Sequence, residues 1–418
     1  MTPAALRTPL VLFDLDGTLL DTVPFITESH QHAWVKHTGR RGDLARILAT
    51  IGRPIEFAFD DAAPELRQAM ADTYLAHNVA HNDERIGLFL GVPRMLDGLV
   101  RLGARIGVVT SKRRAITDRC LALFELDGRF GLVVAKEDTA RHKPFPDPLL
   151  FAMERAGETD PSRVLYVGDT IHDLLCAKNA GIPCAIVGWT AMDRAEIVAA
   201  GPDFWIEEPD DLVLACLAGG RARPTGVDGG PGPFAAWRSL GTAFGPGSGR
   251  DEEVVFACVR PEDGRVAAVH VRGTPADAFR LPSGGRARSE EIVAAVLREA
   301  GEELGARDAR VVDSAGRMAH RFDAGPEDAA AGGTAFRSTL FVLETGERGV
   351  DARRTADAGA DASAEVDEVR WVRPEELPAL AGRLEALDGD WRGWGALRAA
   401  TTRALGEYLV RGGGRMQD

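Results

Sequence analysis

Lysine is scarce in this chain of 418 residues. Only five of its 50 cationic side chains are lysine, and none of them lies beyond Lys178. With 63 acidic residues the net charge is −13. This acidic balance excludes a general nucleic-acid-binding protein, which needs a positively charged surface. We therefore expect no polymeric nucleic acid among its partners.

The chain also lacks long apolar runs and closely spaced cysteines. No run approaches the roughly 20 apolar residues of a membrane span, so we expect no membrane partner. The five cysteines are odd in number and widely separated, which argues against a disulfide framework or a zinc site. The N-terminal segment lacks the apolar stretch of a secretory signal. These observations predict a cytoplasmic protein with free thiols.

The first half of the sequence alternates short apolar runs with helical patterns. Such alternation predicts an α/β domain with a Rossmann-like parallel sheet that is covered by helices on both faces. We place this domain at residues 8–218. From about residue 22 to residue 90, apolar residues recur at helical spacing with almost no strand signal. This pattern predicts a helical insertion after the first strand. Strands are expected at 10–13, 106–110, 132–135, 164–167 and 185–187.

Residues 219–250 are rich in glycine and proline and predict a linker, with Trp237 and Leu240 as its one anchored patch. A second domain is expected at 251–410, with a mixed sheet between helices. Its predicted strands are 254–260, 266–271, 338–344 and 368–372, and its last helix is expected at about 391–410.

Acidic residues follow the first predicted strand directly. Asp14 and Asp16 stand on either side of a leucine, and Gly17 and Thr18 form a turn after them. Ligands of open α/β sheets bind beyond the carboxyl ends of the strands. One carboxylate can attack phosphorus, and the other can move a proton to the leaving oxygen. This arrangement therefore favours phosphoryl transfer.

Three later segments add groups of the same chemistry. Thr110 and Ser111 end the second strand, and Lys143 stands in a proline-rich loop. Asp169 and Asp173 are four residues apart, so that both can approach one cation. The order of these motifs resembles that of the haloacid dehalogenase superfamily of phosphatases over residues 8–218. The motifs are, in turn, Asp-x-Asp-Gly-Thr, a strand-terminal Thr, Lys-Pro-x-Pro and Gly-Asp-x-x-x-Asp. The capped half is most similar to phosphoglycolate phosphatases and their pyrophosphatase relatives.

This resemblance implies a role for each matching residue. Asp14 would be the nucleophile and a ligand of Mg²⁺, and Asp16 the general acid and base, with its main-chain carbonyl on the metal. Thr110 would bind the transferred phosphoryl group, and Lys143 would neutralise charge beside it. Asp169 would bind Mg²⁺ directly, with Asp173 in support. The helical insertion corresponds to the cap that closes over the site in one branch of this superfamily.

Several residues around these motifs have two interpretations. Arg53, in a Gly-Arg-Pro turn of the predicted cap, is either a ligand for a substrate anion or an exposed arginine. Lys112 either contacts phosphate or is simply solvated. Gly17, Thr18 and Ser111 are assigned to substrate binding together with these two cations. His30 and His32 do not share a helix face, and we assign them as surface or cap residues and not as ligands.

Glutamates cluster on one face of a predicted helix in the second domain. Glu299, Glu302 and Glu303 stand at i, i+3 and i+4, where like charges repel. Gly301 between them further weakens the helix. A divalent cation would offset this repulsion, whereas an acidic solvated helix is the alternative. Ser289 is the predicted N-cap and Gly305 the predicted C-terminal residue of this helix.

The segment that contains these glutamates resembles the Nudix box of pyrophosphohydrolases. It reads Gly284-x5-Glu290-x7-Arg298-Glu299-Ala-Gly-Glu302-Glu303-Leu-Gly. The resemblance covers about residues 250–410. It implies that Glu299, Glu302 and Glu303 bind Mg²⁺ or Mn²⁺ and that Arg298 orients them. Glu302 and Glu365 are the implied catalytic residues, with Glu368 as the alternative to Glu365. Arg280, Phe279 and His320 are candidates for substrate contacts.

The two resemblances together imply a bifunctional, Mg²⁺-dependent hydrolase. The first domain would cleave a small phosphate ester or pyrophosphate through an aspartyl phosphate, and the second a nucleoside diphosphate derivative. The expected partners are therefore small phosphate and diphosphate compounds. Two alternatives remain: a phosphomutase in the first domain, or a second domain that senses nucleotide without turnover.

Overall fold

The computed structural model describes residues 6, 8–217, 235–239, 252–287, 289–322, 334–345 and 366–411. The chain divides into two compact units, Leu6–Val213 and a second unit that begins at Leu214. Within the described ranges, every helix is too short or too polar to cross a membrane.

A six-stranded sheet forms the centre of the first unit. Its strands run in the order β5-β4-β1-β6-β7-β8, and every neighbouring pair is parallel. The strands are β1 (Leu10–Phe13), β4 (Arg105–Val109), β5 (Leu132–Val134), β6 (Val164–Gly168), β7 (Cys184–Val187) and β8 (Phe204–Ile206). Five of them were predicted, and β8, with only three residues, was missed. The α/β class and the parallel sheet are confirmed.

Helices connect these strands, and both faces of the sheet are buried. Side chains of β1, β6 and β7, among them Leu12, Tyr166 and Ile186, pack into one core. The connecting helices are α4 (Val92–Arg101), α5 (Arg114–Leu123), α6 (Asp147–Ala156), α7 (Ile171–Ala180), α8 (Arg194–Ala199) and α9 (Pro209–Leu217). Because the strands are parallel, the residues that follow β1, β4 and β6 gather at one edge of the sheet.

The segment between β1 and β4 is helical, as the sequence indicated. It contains α1 (Val23–Thr38), α2 (Leu44–Thr50) and α3 (Pro64–Arg85). Two short strands, β2 (Leu20–Asp21) and β3 (Gly87–Leu88), pair antiparallel at its base. A small apolar core around Phe59 and Met70 holds the helices together. We call residues 22–90 the cap.

The second unit contains a seven-stranded mixed sheet, in the order β15-β11-β10-β14-β13-β9, with β12 paired to β10. Most pairs are antiparallel, but β10 pairs with β14 and β13 with β9 in parallel. The strands are β9 (Ala235–Ser239), β10 (Glu252–Val259), β11 (Val266–Val271), β12 (Ser283–Gly285), β13 (Arg310–Phe322), β14 (Thr334–Glu344) and β15 (Val366–Val372).

Three helices accompany this sheet: α10 (Ile292–Leu304), α11 (Leu377–Glu385) and α12 (Arg392–Val410). Val255 of β10 packs in one core with Leu377 and Leu380 of α11 and Leu405 of α12. Helix α10 contacts β10 and β12. The predicted C-terminal helix is confirmed.

Parts of the second unit differ from the prediction. Ala235–Ser239, inside the expected linker, forms a strand at the edge of the sheet, because β13 offers it a free edge. Trp237 lies in this strand, whereas Leu240 lies outside the described residues. Strand β13 was missed because two register shifts interrupt its alternation of apolar and polar residues. The N-cap of α10 is Glu291, not Ser289, since the Glu291 carboxylate accepts from the amides of Val293 and Ala294.

Candidate functional site

The loop after β1 carries the first group of predicted site residues. The Asp14 amide donates to the Val167 carbonyl oxygen (2.8 Å), so that the loop is anchored to β6 where the two strands end. Gly17 has a φ of 80°, and a Cβ added there would overlap the Asp169 carboxylate. Glycine is required at this turn because the two loops approach each other so closely.

Lys143 lies between two aspartates at the centre of this site. Its Nζ is 2.6 Å from Asp14 Oδ1 and 2.7 Å from Asp173 Oδ1, and all three residues are buried. Burial alone disfavours a charged lysine, but the two carboxylates raise the pKa of Lys143 above its ordinary value. The ammonium is therefore a permanent positive charge next to Asp14.

Asp173 is fully engaged with protein donors. Its Oδ2 accepts from the Thr170 hydroxyl (2.6 Å) and amide (3.0 Å), which caps α7, and its Oδ1 accepts from the Tyr166 hydroxyl (2.9 Å). Burial opposes its ionisation, but Lys143 and these hydrogen bonds hold the pKa of Asp173 below the usual value. Asp173 thus orients Lys143, and few of its lone pairs remain for another ligand.

Asp169 is the least satisfied group of the site. It is completely buried, its Oδ1 accepts only a long hydrogen bond from the Thr18 hydroxyl (3.3 Å), and its Oδ2 has no partner. Burial, together with the nearby Asp173 and Asp14, raises its pKa well above the usual value. A buried carboxylate without donors costs free energy unless a cation or proton meets it.

These aspartates fit a hard divalent cation. Oxygens of Asp14, Asp169 and Asp173 lie within 4.8 Å of one another. Burial, offset in part by Lys143, raises the pKa of Asp14 to about 7. Carboxylate oxygens are the preferred ligands of Mg²⁺. Asp14 and Asp169 have free oxygen atoms for such an ion, whereas Asp173 is occupied by Lys143, Thr170 and Tyr166.

The Asp16 carboxylate contacts Lys112 and not Lys143. Both of its carboxylate oxygens accept from Lys112 Nζ, at 2.8 and 3.0 Å. Burial opposes the Lys112 charge, but Asp16 more than compensates and raises the pKa of Lys112. The Lys112 amide in turn donates to the Thr110 hydroxyl (3.2 Å). Lys112 is therefore a partly buried site residue and not a solvated lysine.

A cavity of about 90 Å³ separates the cap from the end of the sheet. The Ser111 hydroxyl donates to the Gly52 carbonyl oxygen (2.7 Å) and links its two walls. Arg53 is one of the cap residues in the wall, and its guanidinium lies over the Phe57 ring at 4.4 Å. Six predicted residues thus surround one space: Asp14, Asp16, Arg53, Thr110, Ser111 and Lys112.

The cap residues of this wall that were not predicted as site residues include His30, Tyr74 and Asn78. His30, predicted as a surface or cap residue, is only 3% exposed, and its ring lies against Phe59 and Tyr74. It is a buried cap residue, since helix α1 turns this side chain into the cap. His32 is exposed, as expected.

Arg298 organises the acids of the second unit. Its Nε donates to Glu290 (2.8 Å), and one terminal nitrogen donates to both Glu299 (2.7 Å) and Glu302 (2.8 Å). The other terminal nitrogen donates to the Gly285 carbonyl oxygen (2.9 Å). The guanidinium therefore joins α10 to the loop before it.

The three glutamates of α10 do not converge. Glu303 accepts from Arg280 (2.7 Å) and from the Ser283 amide (2.9 Å) and not from Arg298 among the described contacts. Glu299 is buried, which raises its pKa, and a Cβ added at Gly284 would overlap its carboxylate. Glu302 is 58% exposed. Within the described ranges, three metal-ligand side chains come together only at Asp14, Asp169 and Asp173.

The remaining predictions for the second unit have mixed outcomes. Glu365 lies outside the described residues, and Glu368 is exposed on β15 beside Arg370 (2.7 Å). Arg280 is buried against Glu303, Phe279 lies beneath the Arg370 guanidinium, and His320 is fully buried beside Ser338. These three side chains are parts of the packed interior. The predicted C-terminal residue of α10, Gly305, is confirmed in the left-handed conformation.

Comparison with known proteins gives a result for each half of the chain. Residues 11–187 match the family described as haloacid dehalogenase-like hydrolase, and residues 251–391 match the NUDIX domain. The chain belongs to the haloacid dehalogenase-like hydrolases and carries a fused NUDIX domain, so it is a hydrolase. Both families generally use divalent metal ions.

Individual relatives match the first half. Pyrophosphatase PpaX of Anoxybacillus flavithermus is 35% identical over 49% of this chain and 94% of its own length. Pyrophosphatase PpaX of Bacillus velezensis is 34% identical over 50% of this chain and 95% of its own. A solved structure of a haloacid dehalogenase-like family hydrolase from Streptococcus pneumoniae covers 50% of this chain and 97% of its own, at 20% identity and a TM-score of 0.45.

Proposed function

We propose that this protein is a bifunctional, Mg²⁺-dependent phosphohydrolase of the cytoplasm. Residues 8–218 would release phosphate from a small phosphate ester or pyrophosphate through an aspartyl-phosphate intermediate. Residues 251–410 would cleave a nucleoside diphosphate derivative. The observation that carries the proposal is the buried Asp14–Lys143–Asp173 group beside Asp169, whose Oδ2 has no protein partner.

Mg²⁺ would be held by Asp14, Asp169 and the main-chain carbonyl of Asp16, and when bound it would offset negative charge on the transferred phosphoryl group. Asp173 would contribute by fixing Lys143 and the start of α7. The Asp169 Oδ2 atom supports this assignment, because it is buried and no donor among the described residues meets it.

The residues of the chain would divide the reaction between them. Lys143 favours the ionised form of Asp14 and offsets part of the cost of burial, so that one Asp14 oxygen can attack phosphorus while the bond to the leaving oxygen breaks. Asp16 would donate a proton to that oxygen and then accept one from water, which attacks the aspartyl phosphate. Thr110, Ser111 and Lys112 would hold the phosphoryl oxygens. Gly17 and Thr18 would shape the loop beneath them.

Asp16 must leave Lys112 to perform this role. Both Asp16 oxygens accept from Lys112 in the structure, so the Asp16 carboxyl group is directed at this ammonium and not at a leaving group. A substrate anion would compete for the Lys112 ammonium and release Asp16 toward the leaving group. Arg53, in the opposite wall of the cavity, would bind a second anionic group such as the distal phosphate of pyrophosphate, the substrate named for the PpaX relatives.

For the second unit we propose that Glu299, Glu302 and Glu303 bind Mg²⁺ or Mn²⁺, with Arg298 orienting them. The three carboxylates now face Arg298 and Arg280, so the proposal requires them to exchange these partners for a cation. Glu302, the most exposed of the three, is best placed for that exchange. Glu302 or Glu365 would activate water. A nucleotide sensor without turnover is the alternative, favoured by these existing arginine contacts.

Phosphorus NMR of the full-length chain would test both assignments. Wild type with Mg²⁺ should release inorganic phosphate from pyrophosphate or a phosphate ester, and Asp14→Asn should release none. Glu302→Gln should retain this phosphatase activity but lose hydrolysis of a nucleoside diphosphate derivative such as ADP-ribose. An isomerised phosphate ester would indicate a phosphomutase. Nucleotide binding without any metal-dependent cleavage would identify the second unit as a sensor.

A further inference from the structure

The cap side of the cavity contains polar groups that the reaction does not use. His30 of α1, and Tyr74 and Asn78 of α3, all line the cavity that Asp14 and Asp16 enter from the other side. His30 and Asn78 are each 3% exposed. These three residues, which we call the polar cap wall, belong to the cap, whereas Asp14 and Asp16 of the same cavity follow β1.

One polar atom of this wall is buried without a partner. His30 Nδ1 makes no hydrogen bond to any residue that the structure describes, and the Tyr74 and Asn78 side chains line the same cavity. Buried polar groups in folded proteins are nearly always hydrogen-bonded. A ligand with its own donors and acceptors would supply hydrogen bonds to this wall.

All three groups are uncharged near neutral pH. Burial lowers the pKa of His30 to about 4, and burial, with smaller effects of Lys112 and Asp16, raises the pKa of Tyr74 to about 12. A neutral imidazole has one N–H donor and one bare acceptor nitrogen, and the amide also offers both kinds of group. A phosphate offers mainly acceptors, whereas a hydroxyl both donates and accepts. The wall therefore matches hydroxyl groups better than a second phosphate.

We propose that the polar cap wall of His30, Tyr74 and Asn78 selects organic phosphate esters whose leaving group carries hydroxyl groups. This inference rests on the proposed phosphatase function of the first unit and specifies its substrate class. Arg53 and Lys112 hold the anionic parts of the substrate, and the polar cap wall binds its uncharged polar end. Inorganic pyrophosphate would bind to the two cations without filling these hydrogen bonds.

A matched pair of probes separates selection by hydroxyl groups from general catalysis. Glycerol 3-phosphate carries two hydroxyls, and propyl phosphate has the same carbon chain without them. For the wild-type full-length chain with Mg²⁺, kcat/KM should be at least about tenfold higher for glycerol 3-phosphate, the range expected when a site loses one or two hydrogen bonds. In His30→Phe and Asn78→Leu this ratio should fall to about three or less, because kcat/KM for glycerol 3-phosphate falls more than kcat/KM for propyl phosphate.

The control is His32→Phe, an exposed position on the same helix, which should keep the wild-type ratio. A wild type without preference, or variants that keep the ratio, would overturn the inference, as would an equal loss on both probes. A wild type that also fails to hydrolyse p-nitrophenyl phosphate would overturn the proposed phosphatase function and this inference with it. Thermal unfolding identifies any variant that does not fold, and the other variant then decides.

Discussion

The two candidate sites of this protein hold their carboxylates with different cations. In the first unit Lys143, a compact ammonium, is buried between Asp14 and Asp173 and leaves an oxygen of Asp169 without a partner. In the second unit Arg298 joins Glu290, Glu299 and Glu302, and Arg280 joins Glu303. A guanidinium has five donors in a rigid fork, so it can occupy several carboxylates at once.

This difference indicates which of the two sites already has carboxylate oxygens available for a metal ion. Where lysine is the partner, its single nitrogen satisfies one oxygen each of Asp14 and Asp173, and oxygens of Asp14 and Asp169 stay open. Where arginine is the partner, the acids are already satisfied and must exchange donors. Lysine is scarce in this chain, yet one of its five lysines lies at the centre of the first site, whereas the acids of the second site contact arginines.

The largest expected effect is that of removing the buried cation. Lys143→Met leaves Asp14 and Asp173 buried without their shared ammonium, and losing one partner of a buried ion pair costs about 3–5 kcal/mol. We expect the unfolding free energy of the first unit to fall by about this amount, and phosphatase kcat/KM to fall at least about 100-fold. Urea unfolding and steady-state kinetics measure the two effects. Unchanged stability would contradict the buried ion pair.

The matched change in the second unit should have a smaller effect. Arg298 is 37% exposed, and ion pairs of exposed side chains contribute about 0–1 kcal/mol. Arg298→Met should therefore lower the unfolding free energy of the second unit by about 1 kcal/mol or less, although it removes more hydrogen bonds than Lys143→Met. If the loss equals that of Lys143→Met, the proposed contrast between the two sites is wrong.

A third prediction concerns acid stability of the first unit. Because the pKa of His30 falls from 6.5 to about 4 on folding, the unfolded chain binds its proton more readily. The resulting stability is fully present above pH 6.5 and is lost as the pH falls toward 4, by about 3 kcal/mol in total. His30→Phe should remove most of this pH dependence, as measured by urea unfolding between pH 4 and 7. His32→Phe should leave it in place.

The sequence was sufficient to predict that the residues of the first candidate site lie together, because they follow parallel strands. Asp14 after β1, Thr110 after β4 and Asp169 after β6 must meet at one edge of the sheet, whatever the details of packing. The sequence could not show that Asp16 pairs with Lys112, because that contact joins side chains 96 residues apart. The sequence also could not decide whether His30 lies on the surface or inside the cap, since burial within the cap depends on how α1 and α3 pack.

The second site was less predictable. The spacing of Glu299, Glu302 and Glu303 indicates a shared helix face, but it does not determine which arginine each carboxylate contacts. Arg280 lies 23 residues from Glu303 and reaches it only because β12 and α10 approach each other at Gly284. Strand β13 was missed because its register shifts disrupt the period of two on which strand prediction depends.

The smallest expected effect is a pH dependence of opposite sign in the second unit. His270 Nδ1 lies 2.6 Å from Asp367 Oδ1, and although burial opposes its charge, this carboxylate and the Pro275 carbonyl raise the pKa of His270 above 6.5. A raised histidine pKa gives stability that is present below pH 6.5 and is lost as the pH rises through the folded value. Asp367→Asn should abolish this loss, as followed by urea unfolding of the second unit from pH 5 to 9. Because the pair is partly exposed, the effect should shrink further in high salt, whereas the His30 effect, which arises from burial, should persist.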